Sequence, residues 1–306
     1  MKPPTMVLPG STDSYRAEPA DVRAVKSGKI AYSGEAGAFA EDAAIVVFGD
    51  APKLPVGSFR EVFEAVASRA ADAGVVPVEN LVQGSIRETY DLLLEHALRI
   101  EAEVVVPVDL CLAVLPGRPI ESIERVYSHI QALGQAERFL RMRPWSLLTT
   151  YNTAGAGRFI LGRADTAAAA VLSRRAAEAL GLEILAESIQ DVPDNRTRFL
   201  VLGRPGPRPF AVPVPANAAR WRTTVAFGVR NEPGTLLAAL QVFANRSINL
   251  SKLESRPSRE AAWEYVFWAD LDARQDDAEC AAALDELRAV ATMVRVFGSY
   301  PRAPQG

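Results

Sequence analysis

Histidine and cysteine are almost missing from this 306-residue chain, which has two of each. His96 and His129 stand far apart, as do Cys111 and Cys280. A histidine-based zinc centre needs three or four clustered ligands, and a disulfide framework needs closely spaced cysteines, so neither is expected. The 34 basic and 37 acidic side chains are evenly mixed and leave a net charge of −3. No basic block exists to neutralise phosphates, which removes nucleic acid as an expected partner. No apolar run approaches the roughly 18 residues of a membrane span. The N-terminus is interrupted by Pro3, Pro4 and Pro9 and reads as no signal peptide, so a cytoplasmic protein with a poorly ordered extension over residues 1–27 is expected.

What is present is a long alternation of short apolar strands and amphipathic helices. Lys29 to Ser33 reads as a strand, and the glycine-bearing turn 34–38 that follows could hold an anion on its N–H groups. Ser58 and Glu61 form a capping box for a helix from Phe59 to Ala71. Gly74 to Val78 is a buried strand that delivers Glu79 and Asn80 to its C-terminal end, where open α/β sheets place ligands. A helix over 85–96, one or two strands within 100–115, a helix over 131–142, a strand over 147–151 and a helix over 174–180 follow. Thr153 reads as the N-cap of a further helix. The strand 197–202 closes a two-lobed α/β domain over 28–203. Five prolines between Gly203 and Ala219 make 204–219 a semi-rigid linker. The remainder, 220–303, has the order βαββαβ of a ferredoxin-like sandwich.

Several motifs lie along this frame: Pro77-Val78-Glu79-Asn80 with Gly84-Ser85, Ser128 to Gln135, Asn152 to Ala156, Pro193 to Val201 with Thr197-Arg198-Phe199 at its centre, and Asn249 to Pro257. Taken together, in this order, they resemble the prephenate dehydratases that carry a C-terminal ACT domain, over roughly residues 29–301. The resemblance implies a catalytic domain with a fold like the periplasmic binding proteins and a regulatory ACT domain. It also implies a lyase that turns prephenate into phenylpyruvate by losing water and carbon dioxide together. Aromatisation drives that step, so no cofactor and no metal is expected.

By the same resemblance Thr197 assists the departing hydroxyl. Asn80, Glu79, Ser85, Ser128, Gln135, Thr153, Ala154, Arg198 and Phe199 are candidates for substrate binding. Strand alternation turns Arg198 away from Thr197, so an ion pair is an equal reading for it. His129 reads as structural. Asn231, Pro233, Gly234, Thr235 and Leu236, with Glu254, Ser255, Arg256 and Pro257, resemble the phenylalanine-binding segments. Trp263, Tyr265, Phe267 and Trp268 would supply aromatic surface for a homodimer or homotetramer. A core cut near residue 204 is expected to stay active and lose sensitivity to phenylalanine. The chain departs from the family pattern at Ala40, Leu81 and Ile130. Two other readings stay open: an arogenate dehydratase, and a non-catalytic amino-acid sensor.

Overall fold

The structure is a computed structural model that describes residues 28–206, 210, 220–257 and 265–303. The N-terminal extension, most of the linker and Trp263 lie outside the described residues. The first lobe is built from β1 (Ile30–Ser33), α1 (Phe39–Phe48), β2 (Lys53–Val56), α2 (Phe59–Ala67), β3 (Ala73–Asn80), the short β4 (Gly84–Ser85), α3 (Arg87–Glu95) and β5 (Arg99–Pro107). The second contains β6 (Cys111–Val114), β7 (Arg125–Ser128), α4 (Ile130–Gln135), α5 (Glu137–Leu140), β8 (Ser146–Thr149), α6 (Thr153–Arg163), β9 (Ala168–Leu172), α7 (Arg174–Ala179) and β10 (Glu183–Ala186). The chain then returns as β11 (Arg196–Gly203) into the first sheet, whose order is β2-β1-β3-β11-β5. The second sheet runs β10-β6-β9-β7-β8. This is the two-lobed α/β arrangement expected, with β1, β3, β7, β8 and β9 ending toward the gap between the lobes.

Local chemistry explains most element ends. At α2, Ser58 Oγ accepts from the Glu61 N–H at 3.2 Å, while the Glu61 carboxylate reaches back to the Gly57 N–H at 3.1 Å. The helix stops at Ala67, four residues early, because Arg69 turns to a positive φ of 68°. The helix expected over 131–142 is divided into α4 and α5. The cause is Asp191, whose N–H donates to Gln135 O at 2.6 Å and whose carboxylate accepts from the Arg138 N–H at 3.1 Å. One residue of the returning chain thus bonds both halves. Asn152, not Thr153, caps α6, accepting from Gly155 N at 2.5 Å. In the turn after β1 three N–H groups are already taken: Gly34 donates to Val56 O, Gly37 to the Glu41 carboxylate at 2.8 Å and Ala38 to Glu35 O.

Beyond the linker come β12 (Trp221–Gly228), α8 (Thr235–Asn245), β13 (Leu250–Pro257), β14 (Tyr265–Leu271), α9 (Ala278–Val290) and β15 (Met293–Pro301), forming an antiparallel sheet of order β13-β14-β12-β15. One face of this sheet packs on α8 and α9 through Val225, Phe227, Phe243 and Leu284. The other lies directly on the first lobe: Ala226, Trp268, Phe297 and Tyr300 share a core with Tyr90, Leu93, Leu98 and Ile100. Trp268 is therefore buried at this seam, not offered to a partner, and a chain cut near residue 204 would expose the apolar residues of the first lobe that it covers. Cys111 and Cys280 are buried free thiols, and burial pushes their pKa up to about 12 and about 11. Among the described residues no helix is long and apolar enough to cross a membrane.

The seam is tightest at Gly298 of β15, where an added Cβ would lie 2.1 Å from Ile100 O of β5. Gly298→Ala is expected to force the sheets apart at a cost of about 1–3 kcal/mol. Chemical denaturation would register this as a lower midpoint, and an unchanged midpoint would show that the seam is loose.

Candidate active site

The site begins with an irregularity in β3. Proline has no N–H for the ladder, and at Pro77 the pairing with β11 slips: Phe199 faces Pro77, yet Arg198 faces Glu79. Two residues of β3 thus oppose one of β11. The extra residue, Val78, reverses the alternation and turns Asn80 to the same side as Thr197. These two are register partners, 5% and 8% exposed.

Their contact has a fixed sense. Asn80 Oδ1 accepts from the backbone N–H groups of Val82 and Gln83, each at 3.0 Å. Its amide nitrogen must therefore face the other way, where it donates to Thr197 Oγ1 at 3.0 Å, to Asn195 Oδ1 at 2.9 Å and to Arg196 O at 3.2 Å. With Asn80 donating to its oxygen, the Thr197 hydroxyl keeps its own proton for another acceptor. Asn195 is 1% exposed, and its amide nitrogen has no partner among the described residues. A buried donor without a partner is rare, and this one borders the cleft.

That cleft has a volume of about 490 Å³ and lies between the lobes. Val82 and Gln83 line it from the first lobe, Ile130, Gln131, Gly134 and Gln135 from α4, and Gln190, Asp191, Val192 and Asn195 from the returning chain. Of the residues expected from sequence, Gln135 is brought to this wall and Asn80 and Thr197 lie just behind Asn195. Asn195, Gln83, Gln131 and Gln190 were missed. Asn195 stood inside the 193–201 motif, but nothing in a sequence announces a buried unpaired amide.

The other candidates lie elsewhere. Glu79, turned opposite to Asn80, pairs with Arg198 at 3.1 Å and with Lys252 at 3.1 Å. Arg198 also meets Asp270 at 2.8 Å and Glu103 at 3.2 Å, so it is a structural ion pair behind the site. Ser85 bonds Glu254 and accepts from Lys252 at 2.7 Å, facing the C-terminal module instead of the cleft. Ser128 is fully buried and donates to Val171 O at 2.6 Å. Phe199 belongs to the core between α1 and the first sheet, and Ala154 to the core of the second lobe. Thr153, in the first turn of α6, is not among the cleft-lining residues. His129 caps α4 by accepting from Gln131 N at 3.3 Å, and burial lowers its pKa, which suits an unprotonated acceptor. Of the three departures, Leu81 points to solvent, Ala40 is buried in α1 and Ile130 lines the cleft.

In the module, Gly234 takes a φ of 88° to open α8, and Thr235 Oγ1 donates to Arg230 O at 2.6 Å. Asn231 and Pro233 are exposed, while Leu236 packs against the core of the module. Along β13 a register shift after Leu250 is followed by regular alternation from Lys252 onward. Lys252, Glu254 and Arg256 turn to the first lobe, and Leu253, Ser255 and Pro257 turn to solvent. Arg256 meets Asp91 at 3.0 Å. Gly228 and Arg256 both register against Val266, so the segment 231–236 after β12 and the end of β13 at 254–257 lie at the same end of the sheet, with β14 between the two strands.

A family model described as prephenate dehydratase matches residues 30–207, and one described as an ACT domain matches residues 223–289. The chain belongs to the prephenate dehydratase family. A bifunctional chorismate mutase/prephenate dehydratase of Aquifex aeolicus (strain VF5) is 39% identical over 276 residues, covering 90% of this chain and 74% of its own. The arogenate dehydratase/prephenate dehydratase 1 of Arabidopsis thaliana, a chloroplastic protein, is 38% identical over 287 residues, covering 89% and 72%. A solved structure of prephenate dehydratase from Arthrobacter aurescens, in complex with L-Phe, superposes with a TM-score of 0.81 at 32% identity and covers 90% of each chain.

Thr197→Ala removes the free hydroxyl proton without disturbing the Asn80 anchor on Val82 and Gln83. Turnover is expected to fall on the order of a hundredfold or more with little change in KM, since the contact strengthens only toward the transition state. Asn195→Ala, which removes a cleft-facing donor, is expected to raise KM more than it lowers kcat. Steady-state kinetics of both variants checks the division, and near-normal turnover of a folded Thr197→Ala protein would remove Thr197 from the chemistry.

Proposed function

We propose that this chain is a prephenate dehydratase whose active centre is the Thr197–Asn80–Asn195 group, under feedback control by phenylalanine at the C-terminal module. The observation that carries the reading is the committed Asn80 amide, which leaves the Thr197 hydroxyl as a donor. In the reaction the ring C–O bond and the bond to the ring carboxylate break together. The electron pair of the C–C bond enters the ring and carbon dioxide leaves. Hydroxide departs and takes up a proton as water, and Thr197 hydrogen-bonds to that oxygen as its charge grows. A threonine hydroxyl is a weak acid, so its part is hydrogen bonding or relay more than outright proton donation. The amides of Gln83, Gln131, Gln135 and Asn195 surround the cleft and can donate to the substrate's oxygens.

A second reading has its own support. Among the described residues no basic side chain lines the cleft, and one carboxylate, Asp191, does. An ammonium-bearing substrate suits that electrostatic setting, which favours arogenate as an additional substrate yielding phenylalanine directly. Regulation by phenylalanine is supported by the L-Phe complex of the related Arthrobacter structure and by the two module segments converging at one end of their sheet. The domain limits 28–203, 204–219 and 220–303 belong to the same proposal, as does cytoplasmic action. So does a homodimer or homotetramer formed through the module, where Leu237, Leu253 and Tyr265 remain exposed.

Purified protein supplied separately with prephenate and with arogenate is expected to release phenylpyruvate from the first. Activity with neither would overturn the reading in favour of a sensor. Asp191→Asn is expected to lower kcat/KM for arogenate about tenfold relative to prephenate, because one charge contact is worth about 1.4 kcal/mol here. An unchanged ratio would remove Asp191 from substrate selection.

A further inference from the structure

Directly behind the Thr197–Asn80 pair stands a second register pair, Arg198 with Glu79, on the opposite face of the same two strands. It meets a register pair of the C-terminal sheet, Asp270 of β14 with Lys252 of β13. Arg198 donates to Asp270 at 2.8 Å, and Lys252 reaches the second oxygen of Glu79 at 3.1 Å. Asp270 is itself fixed, accepting from Thr224 Oγ1 at 2.7 Å, and is 4% exposed. Each partner of the active-centre pair is therefore followed or preceded in its strand by a residue that the module holds by charge. The ladder beside them is interrupted by the Val78 bulge, so this part of β3 is not locked by continuous pairing. A cavity of about 170 Å³, bordered by Glu79, Arg198, Arg222, Lys252 and Asp270, gives the charged groups room to shift. Lys252 also lies two residues before Glu254, at the start of one ligand segment.

We propose that the Arg198–Asp270 and Glu79–Lys252 ion pairs form a relay by which the module positions Thr197 and Asn80, and through which a ligand at the module withdraws them. The relay rests on the reading of Thr197 as the hydroxyl that serves the reaction and of the module as a phenylalanine site. The Arg198–Asp270 pair is buried and suits the task, because a small displacement changes its interaction steeply in a low dielectric, while the half-exposed Glu79–Lys252 pair beside it adds a second, weaker contact. The coupling is an equilibrium between two arrangements, so breaking it must uncouple inhibition from binding. Asp270 and Lys252 act through Arg198 and Glu79, as positioning residues.

The test uses the full chain carrying Asp270→Asn, with prephenate turnover and phenylalanine calorimetry on the same preparation. With the relay cut, kcat is expected to fall about tenfold while KM stays within about threefold, because a small misplacement costs rate more than binding. The phenylalanine concentration that halves activity is expected to rise at least about tenfold, while its calorimetric Kd stays within about threefold. An unchanged kcat, or inhibition that weakens only in step with binding, would overturn the proposal. Should Asp270→Asn fail to fold, Lys252→Met carries the same test with the same expected outcomes. If the unaltered protein neither binds phenylalanine nor is inhibited by it, the regulatory reading fails by itself, and the relay stands or falls on the turnover of the variant.

Discussion

The structure turns on one strand, β11, that is an interior strand of the first sheet with both faces covered. It lies between β3 and β5 because the chain crosses to the second lobe and comes back, and its side chains alternate. Phe199 and Val201 enter the core against α1, with Thr197 at the cleft end of the series. Leu200 and Leu202 enter the core shared with the C-terminal sheet, with Arg198 at the end of theirs. The wall toward the cleft and the seat of the C-terminal sheet are thus two faces of the same six residues, 197–202. Neither can be rebuilt without disturbing the other, since successive residues of a strand must point oppositely.

The seam between lobe and module combines two kinds of interaction. Most of it is apolar, around Tyr90, Trp268, Phe297 and Tyr300, with Trp268 stacked on Phe297 at 4.6 Å between centroids. The apolar area supplies the association, without direction. The charged cluster of Arg198, Arg222, Glu103 and Asp270 supplies register instead. Burial by itself would raise the pKa of Asp270, but the Arg198 and Arg222 guanidiniums hold it below the usual carboxylate value. A buried cluster of this kind contributes little net stability while every partner is present, and much is lost when one is removed. The Tyr300 hydroxyl, which shares a hydrogen bond with Thr224 at 2.7 Å, is pushed well up in pKa by the same burial and stays protonated.

The cleft is held differently. Asp191 divides α4 from α5 and lines the cleft at the same time, so the geometry of the second lobe and the polarity of the site share one residue. On the far side, the turn after β1 meets the second lobe through polar contacts. Ser173 Oγ donates to Gly37 O at 2.8 Å, Arg158 pairs with Glu35 at 2.6 Å, and Arg175 bridges Glu41 and Asp42. Gly37 is required there, since its φ is 91° and a Cβ would lie 2.5 Å from Ala176. The lobes meet at two edges, with the amide-lined gap between.

The sequence by itself determined the two-lobed and βαββαβ plan and the capping of α2 by Ser58 and Glu61, and it singled out Thr197, Asn80 and Gln135, which the fold brings to or just behind the cleft. Those features are local: apolar periodicity, caps and motif residues act over a few positions. It also indicated that Arg198 faces away from Thr197, because strand alternation is equally local. Tertiary structure decided the rest. Alternation counted along β3 from Val78 would have turned Asn80 away from Thr197, and only pairing with β11 reveals the bulge that turns it back. Ser85 and Glu79 read as ligand contacts until the module is seated on them, Arg256 until the first lobe's Asp91 meets it, and Asn195 is a free donor only because its neighbours leave its amide nitrogen unpaired among the described residues. A motif specifies which groups are available. Which face they occupy and who already holds them depends on contacts between residues a hundred or more positions apart, such as Asn80 with Thr197, and no short window of sequence contains those.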